Sequence, residues 1–127
     1  MITIEQLKEI QQRADKLKQY LAIDEKRVQL EEEELRTQDP GFWEDAKAAE
    51  AQMRKVKGIK AWIEGYEGVR AATEELQLAF DYCKEEMVTE EEVDAAYAHA
   101  VKEVEALEMK NMLSHEEDQM PAVLKIV

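Results

Sequence analysis

Residues 45–87, DAKAAEAQMRKVKGIKAWIEGYEGVRAATEELQLAFDYCKEEM, decide the fold. Ala49, Met53, Val56, Ile59, Ile63, Tyr66, Val69, Thr73, Leu76, Phe80, Cys83 and Met87 recur at steps of three and four, which places them on one stripe of a single amphipathic helix. No proline interrupts it. At 1.5 Å per residue, roughly 43 residues make a rod of about 65 Å, too long for the core of a compact globule. Other helices must therefore lie along the stripe. Gly58, Gly65 and Gly68 each weaken a helix interior by about 1 kcal/mol relative to alanine, and mark places for a bend or a close helix crossing.

Working outward toward the N-terminus, Thr3 and Gln6 have the spacing of a capping box. Ile4, Leu7, Ile10, Ala14, Leu17 and Leu21 then give a helix over residues 3–21. Asp24 is placed to cap a second helix, with Ile23 and Val28 as a hydrophobic staple and Leu35 continuing the apolar face. Its acidic run, Glu31 to Glu34, reads as a solvated face, because consecutive helical side chains point about 100° apart and cannot converge on one ion. Residues 38–45, QDPGFWED, form a corner: Pro40 disfavours a helical Asp39, Gly41 permits an unusual backbone angle, and Asp45 offers the cap of the long helix. Phe42 and Trp43 read either as plugs tying this corner to the bundle end or as an exposed binding pair. The plug reading predicts that Trp43→Ala melts several degrees lower.

Toward the C-terminus, Thr89 with Glu92 makes a second capping box. Val93, Ala96, Tyr97, Ala100, Val101, Val104 and Leu107 form the stripe of a fourth helix ending near Leu113, antiparallel to the long one. Ser114 to Gln119 is polar, Pro121 opposes helix, and Ala122 to Val127 reads as a strand. The expected fold is all-α, an elongated antiparallel bundle of about four helices built on one long helix, with a C-terminal strand. Residues 1–113 form the helical domain, and residues 114–127 a linker and the first strand of a following domain. A lone strand has no partner for its backbone, so the expectation is a piece of a longer protein.

The chain has 127 residues, 37% of them charged, and a formal net charge of −13. That surface repels phosphate backbones and opposes non-specific nucleic-acid binding. The charge is uneven: residues 51–60 hold Arg54, Lys55, Lys57 and Lys60 without an acid, while residues 24–50 hold ten acids against four bases. Arg54, Lys57 and Lys60 share one helix face. They read either as partners for neighbouring acids such as Glu31 to Glu34 or as a docking patch for an acidic protein or RNA. Cys83 is the single cysteine, placed on the apolar stripe, so no disulfide or thiolate cluster is expected within the chain. His99 and His115 lack the spacing of a zinc set, and no phosphate-cradling loop or nucleophile elbow occurs. The expectation is therefore no enzyme, no catalytic residue, no metal and no cofactor. Residues 1–10 carry Glu5, Lys8 and Glu9 and form neither a signal nor a membrane span, which makes the cytoplasm the default.

Several short blocks together resemble the bacterial class-I peptide chain release factors. They are Arg13-Ala14-Asp15 and Leu17 to Leu21 in the first helix, Asp24 with Leu30-Glu31-Glu32 in the second, and Asp39-Pro40-Gly41-Phe42-Trp43 at the corner. Leu107-Glu108 and Met112 to Asp118, running into Ala122 to Val127, complete the set. His115 stands where the family usually has Gly, and Glu117 where Tyr is frequent. The resemblance spans the chain and is strongest to the branch that reads UGA and UAA. It implies that an intact protein would read those stop codons with a Ser-Pro-Phe tripeptide and promote peptidyl-tRNA hydrolysis with a Gly-Gly-Gln loop, neither of which occurs here. This segment would be the accessory helical domain, with the ribosome as partner at the large-subunit stalk base and GTPase-associated region, and the class-II release factor as a second partner. The rival expectations are a stand-alone coiled-coil or spectrin-like scaffold and, more remotely, a small helical enzyme or metal carrier.

Overall fold

In a computed structural model, the backbone is described over residues 1–126 and the side chains over residues 1–114. Four α-helices follow one another: α1 (Ile4–Tyr20), α2 (Ile23–Arg36), α3 (Ala46–Lys84) and α4 (Glu90–Ile126), with a one-turn 3-10 helix at Phe42–Glu44 before α3. The all-α reading holds, and α3 is a continuous rod of 39 residues. Asp45 caps it as expected, its Oδ1 accepting from the N–H groups of Lys47 and Ala48 at 3.1 Å each.

Registers along α3 follow from the cross-helix contacts. Gly65 lies against Leu107 and Gly68 against Glu103, so α4 runs antiparallel to α3. Gln11 donates to Gln77 at 2.6 Å, and Lys60 reaches Glu34 at 3.9 Å. Both α1 and α2 thus run antiparallel to α3, end to end, α1 over its C-terminal half and α2 over its N-terminal half. Leu7, Ile10, Ala14, Leu17, Val69, Leu76, Phe80, Val93, Ala100 and Val104 are buried in one continuous core. Arg13 clasps α1 to α4 through a two-pronged contact with Glu108, Nε to Oε2 at 3.2 Å and a terminal nitrogen to Oε1 at 2.5 Å. That contact raises the Arg13 pKa above its ordinary value, with burial opposing. Two of the blocks that carry the family resemblance meet in this pair.

The capping box at Thr3 forms in both directions with Gln6. At the head of α4, Thr89 Oγ accepts from the Glu92 N–H at 3.2 Å. The α3–α4 link is tighter than its sequence advertises. Glu86 takes a left-handed conformation (φ 62°), Met87 N–H donates to the Tyr82 carbonyl at 2.9 Å, and Glu86 N–H donates to that of Cys83 at 3.0 Å. This double closure satisfies the last carbonyls of α3.

Several expectations are corrected. Asp24 does not cap α2; the cap position falls on Ala22 in a left-handed conformation (φ 49°), because a two-residue link must redirect the chain while burying both Leu21 and Ile23. Asp24 instead pairs with Arg27 at 3.3 Å. Val28 and Leu35 are exposed, so α2 has a narrower apolar face than its spacing suggested. Gly41 adopts an ordinary φ of −83°; the corner closes through Asp39, whose Oδ1 accepts from Gly41 N–H at 3.0 Å and whose carbonyl accepts from Phe42 N–H at 2.9 Å. Trp43 is 64% exposed and does not plug the bundle end, while Phe42 is half-buried, with the two rings edge to face at 4.8 Å. On a single tight turn, successive side chains diverge by about 120°, so only one of the pair can point inward. On α3, Met53 is exposed and Ala72 is buried in addition to the expected stripe, and Met87 falls beyond the end of the helix, exposed.

The largest departure is at the C-terminus. The expected strand at residues 122–127 is not formed: α4 passes Leu113 and Pro121 and ends at Ile126, and no strand occurs among the described residues. An isolated strand leaves every backbone N–H and C=O without a protein partner, whereas continuing the helix pairs them internally and forfeits mainly the bond that proline cannot make, at about 3 kcal/mol. The side chain of His115, and all of Val127, lie outside the described residues.

Candidate docking surface

The basic island occupies a flank of α3 beside its buried stripe. Val56 and Ile59 point inward and Ile63 is half-buried, and this orientation brings Arg54, Lys57 and Lys60 to one shallow groove of about 430 Å³, together with Glu50, Met53 and Val56. The three cations are not equivalent. Arg54 pairs one turn back with Glu50 on its own helix, and Lys60 reaches Glu34 on α2. Lys57 makes no ion pair among the described residues. Gly58, beside it, has open space where a side chain would stand.

Pairing with neighbouring acids, one of the two expectations for this island, is therefore met in part. Neighbouring acids engage Arg54, Lys60 and, at 3.4 Å from Glu33, Lys55, whereas Lys57 is exposed.

Glu33 was not singled out in the sequence, where it reads as part of a solvated run. Its neighbours Glu31 and Glu32 are exposed, yet Glu33 is only 4% exposed. Gln52 reaches across from α3 and donates to its carboxylate at 2.5 Å and to its backbone carbonyl at 3.0 Å. Lys55 and Arg36 complete the cage at 3.4 and 3.6 Å. The Gln52 hydrogen bond first, then Lys55 and Arg36, hold the Glu33 pKa below the usual carboxylate value against the opposing effect of burial. The available signal was register: Ile23, Leu30 and Glu33 are spaced seven and three apart, on the side of α2 that meets α3.

At the junction of α2, α3 and α4, Trp62 is half-buried, with Lys110 Nζ 4.4 Å and Lys26 Nζ 6.0 Å from its ring centre. Among the described residues, no three His, Cys, Asp or Glu side chains gather so as to hold a metal ion. No helix is long and apolar enough to cross a membrane, as far as the described residues go. His99 lies on the α4 surface near Glu103, at 3.8 Å, and Cys83 is half-buried at the edge of the core.

The class these residues define is an all-α bundle built on one long helix. The chain belongs to the PCRF domain family, whose pattern matches residues 26–127. It is similar to peptide chain release factor 2 of Pseudoalteromonas translucida, 29% identical over 97% of this chain and 34% of that protein. It is likewise similar to peptide chain release factor 2 of Listeria innocua, 26% identical over 93% of the chain and 34% of the relative, and of Nitratiruptor, 28% identical over 96% and 34%. The chain thus spans about a third of the length of the curated relatives it matches.

Proposed function

We propose that this chain is the accessory helical domain of a peptide chain release factor 2, a factor that ends translation at UGA and UAA codons by promoting peptidyl-tRNA hydrolysis in the cytoplasm. The observation that carries the reading is the PCRF match over residues 26–127 together with relatives of that name covering nearly the whole chain. In this reading the domain is not itself an enzyme. Codon reading and hydrolysis belong to other parts of the factor, since neither tripeptide occurs in these residues. The domain is a rigid arm that holds docking surfaces away from the reacting centre. Its partners are ribosomal, at the stalk base and GTPase-associated region of the large subunit, and include the class-II factor that recycles release factors. The face of Arg54, Lys57 and Lys60 is a docking patch for an acidic partner surface. The net charge of −13 opposes general nucleic-acid binding, so RNA contact is confined to such a patch.

Removal of residues 1–113 from the whole factor tests this. Ribosome binding and factor exchange weaken while codon-dependent hydrolysis persists at saturating factor; loss of hydrolysis at saturation overturns the accessory role. Reversing charge at Arg54 and Lys57 weakens partner affinity and reduces its dependence on salt. Unchanged affinity and salt dependence remove the patch. The scaffold alternative gains no support from the family match.

A further inference from the structure

The α3–α4 hairpin has two faces near its tip, and only one is covered. On the first, α1 lays Leu7, Ile10 and Ala14 into the seam, while its start is tied down by the Met1 ammonium at 3.4 Å from Asp94. The other face carries an open groove of about 560 Å³ lined by Leu78, Ala79, Tyr82, Val88, Ala95 and Ala96. The alanines make its floor low, and Leu78 (52% exposed) and Tyr82 (43% exposed) stand along its edge. It runs from Val88 to His99, about 17 Å or three helical turns. Glu75 and Glu92 border it, and residues 74–94 carry nine acids against one base, Lys84.

We propose that this groove docks a basic amphipathic helix of a partner protein, which would lie against α3 and α4 as α1 does on the opposite face. Small residues between two helices let a third approach closely, with apolar side chains at three- and four-residue steps filling the seam. The acidic border selects lysine and arginine on the flanks of that helix. It repels a second copy of this chain and any phosphate backbone. The proposal deepens the docking-arm reading above by naming what one surface of the arm accepts.

The test uses this chain and two synthetic helical peptides with the same leucine pattern, one flanked by lysines and one by glutamates. The lysine peptide is expected to bind at least about tenfold more tightly than the glutamate peptide, to perturb the Tyr82 and His99 resonances, and to weaken several-fold as NaCl rises from about 50 to about 300 mM. Leu78→Glu, and separately Glu75→Lys with Glu92→Lys, change exposed positions. Each is expected to weaken lysine-peptide binding at least about tenfold, the first with unchanged melting, the second also flattening the salt dependence. Equal binding of the two peptides, binding that leaves Tyr82 and His99 unperturbed, or a concentration-dependent dimer of the chain alone overturns the proposal. Because this assay involves no ribosome, its failure rejects the groove and leaves the residues 1–113 deletion to judge the broader function.

Discussion

Glu86 holds a left-handed backbone where the last turn of α3 closes, a position that glycine occupies without a Cβ penalty. Glu86→Gly should therefore stabilise the hairpin by roughly 1 kcal/mol, read as a rise of a few degrees in Tm. Glu33 acts through charge. Its folded pKa lies below the unfolded one, so its contribution is fully present above the unfolded value and is lost as pH falls through the folded value. The acid side of a Tm-against-pH curve should accordingly flatten in Glu33→Gln, and an identical acid limb in both proteins would refute this role. Exposure separates the two aromatic residues of the corner. Trp43→Ala should shift stability by less than about 0.5 kcal/mol, as exposed substitutions do, whereas Phe42→Ala should cost clearly more.

The glycines of α3 matter at the level of the element. Gly58 faces open space and Gly65 lies 3.0 Å, by the position of an added Cβ, from Leu107. Gly58→Ala should gain up to about 1 kcal/mol from helix propensity. Gly65→Ala should forfeit part of that gain, because the tip of the buried Leu107 side chain must yield by a few tenths of an ångström; equal melting temperatures for the two variants would contradict this. Both glycines look alike in the sequence, and only the register of α4 distinguishes them. The same limit explains what was legible. The length of α3, the capping box at Thr3, the hydroxyl half of the one at Thr89, and the Asp45 cap are local and could be read from spacing. The fate of Trp43, the inward turn of Glu33, and the helical path through Pro121 depend on which neighbours are at hand, and spacing does not encode that. The basic island was legible as one face, but its division into paired Lys60 and unpaired Lys57 required knowing where α2 lies.

As a whole, the molecule is a bundle of long rods in which one component, α1 followed by α2, is broken at Ala22. The break gives the two halves of α3 different support. Beneath α1 the seam is closed by three helices and clasped by Arg13 and Glu108, an interaction worth about 1 kcal/mol or less at its partial exposure. Beneath α2, burial of that helix rests on Ile23 and Glu33, and its ties to α3 are polar contacts through Arg27, Glu33 and Glu34. The arm thus combines a stiff end at the hairpin with a more lightly fastened end beside the corner.

That light fastening has a kinetic signature. Backbone amide protons of residues 24–36 should trade with deuterium well before those of residues 7–17, because a helix with so little apolar area to lose can lift from α3 without disturbing the rest.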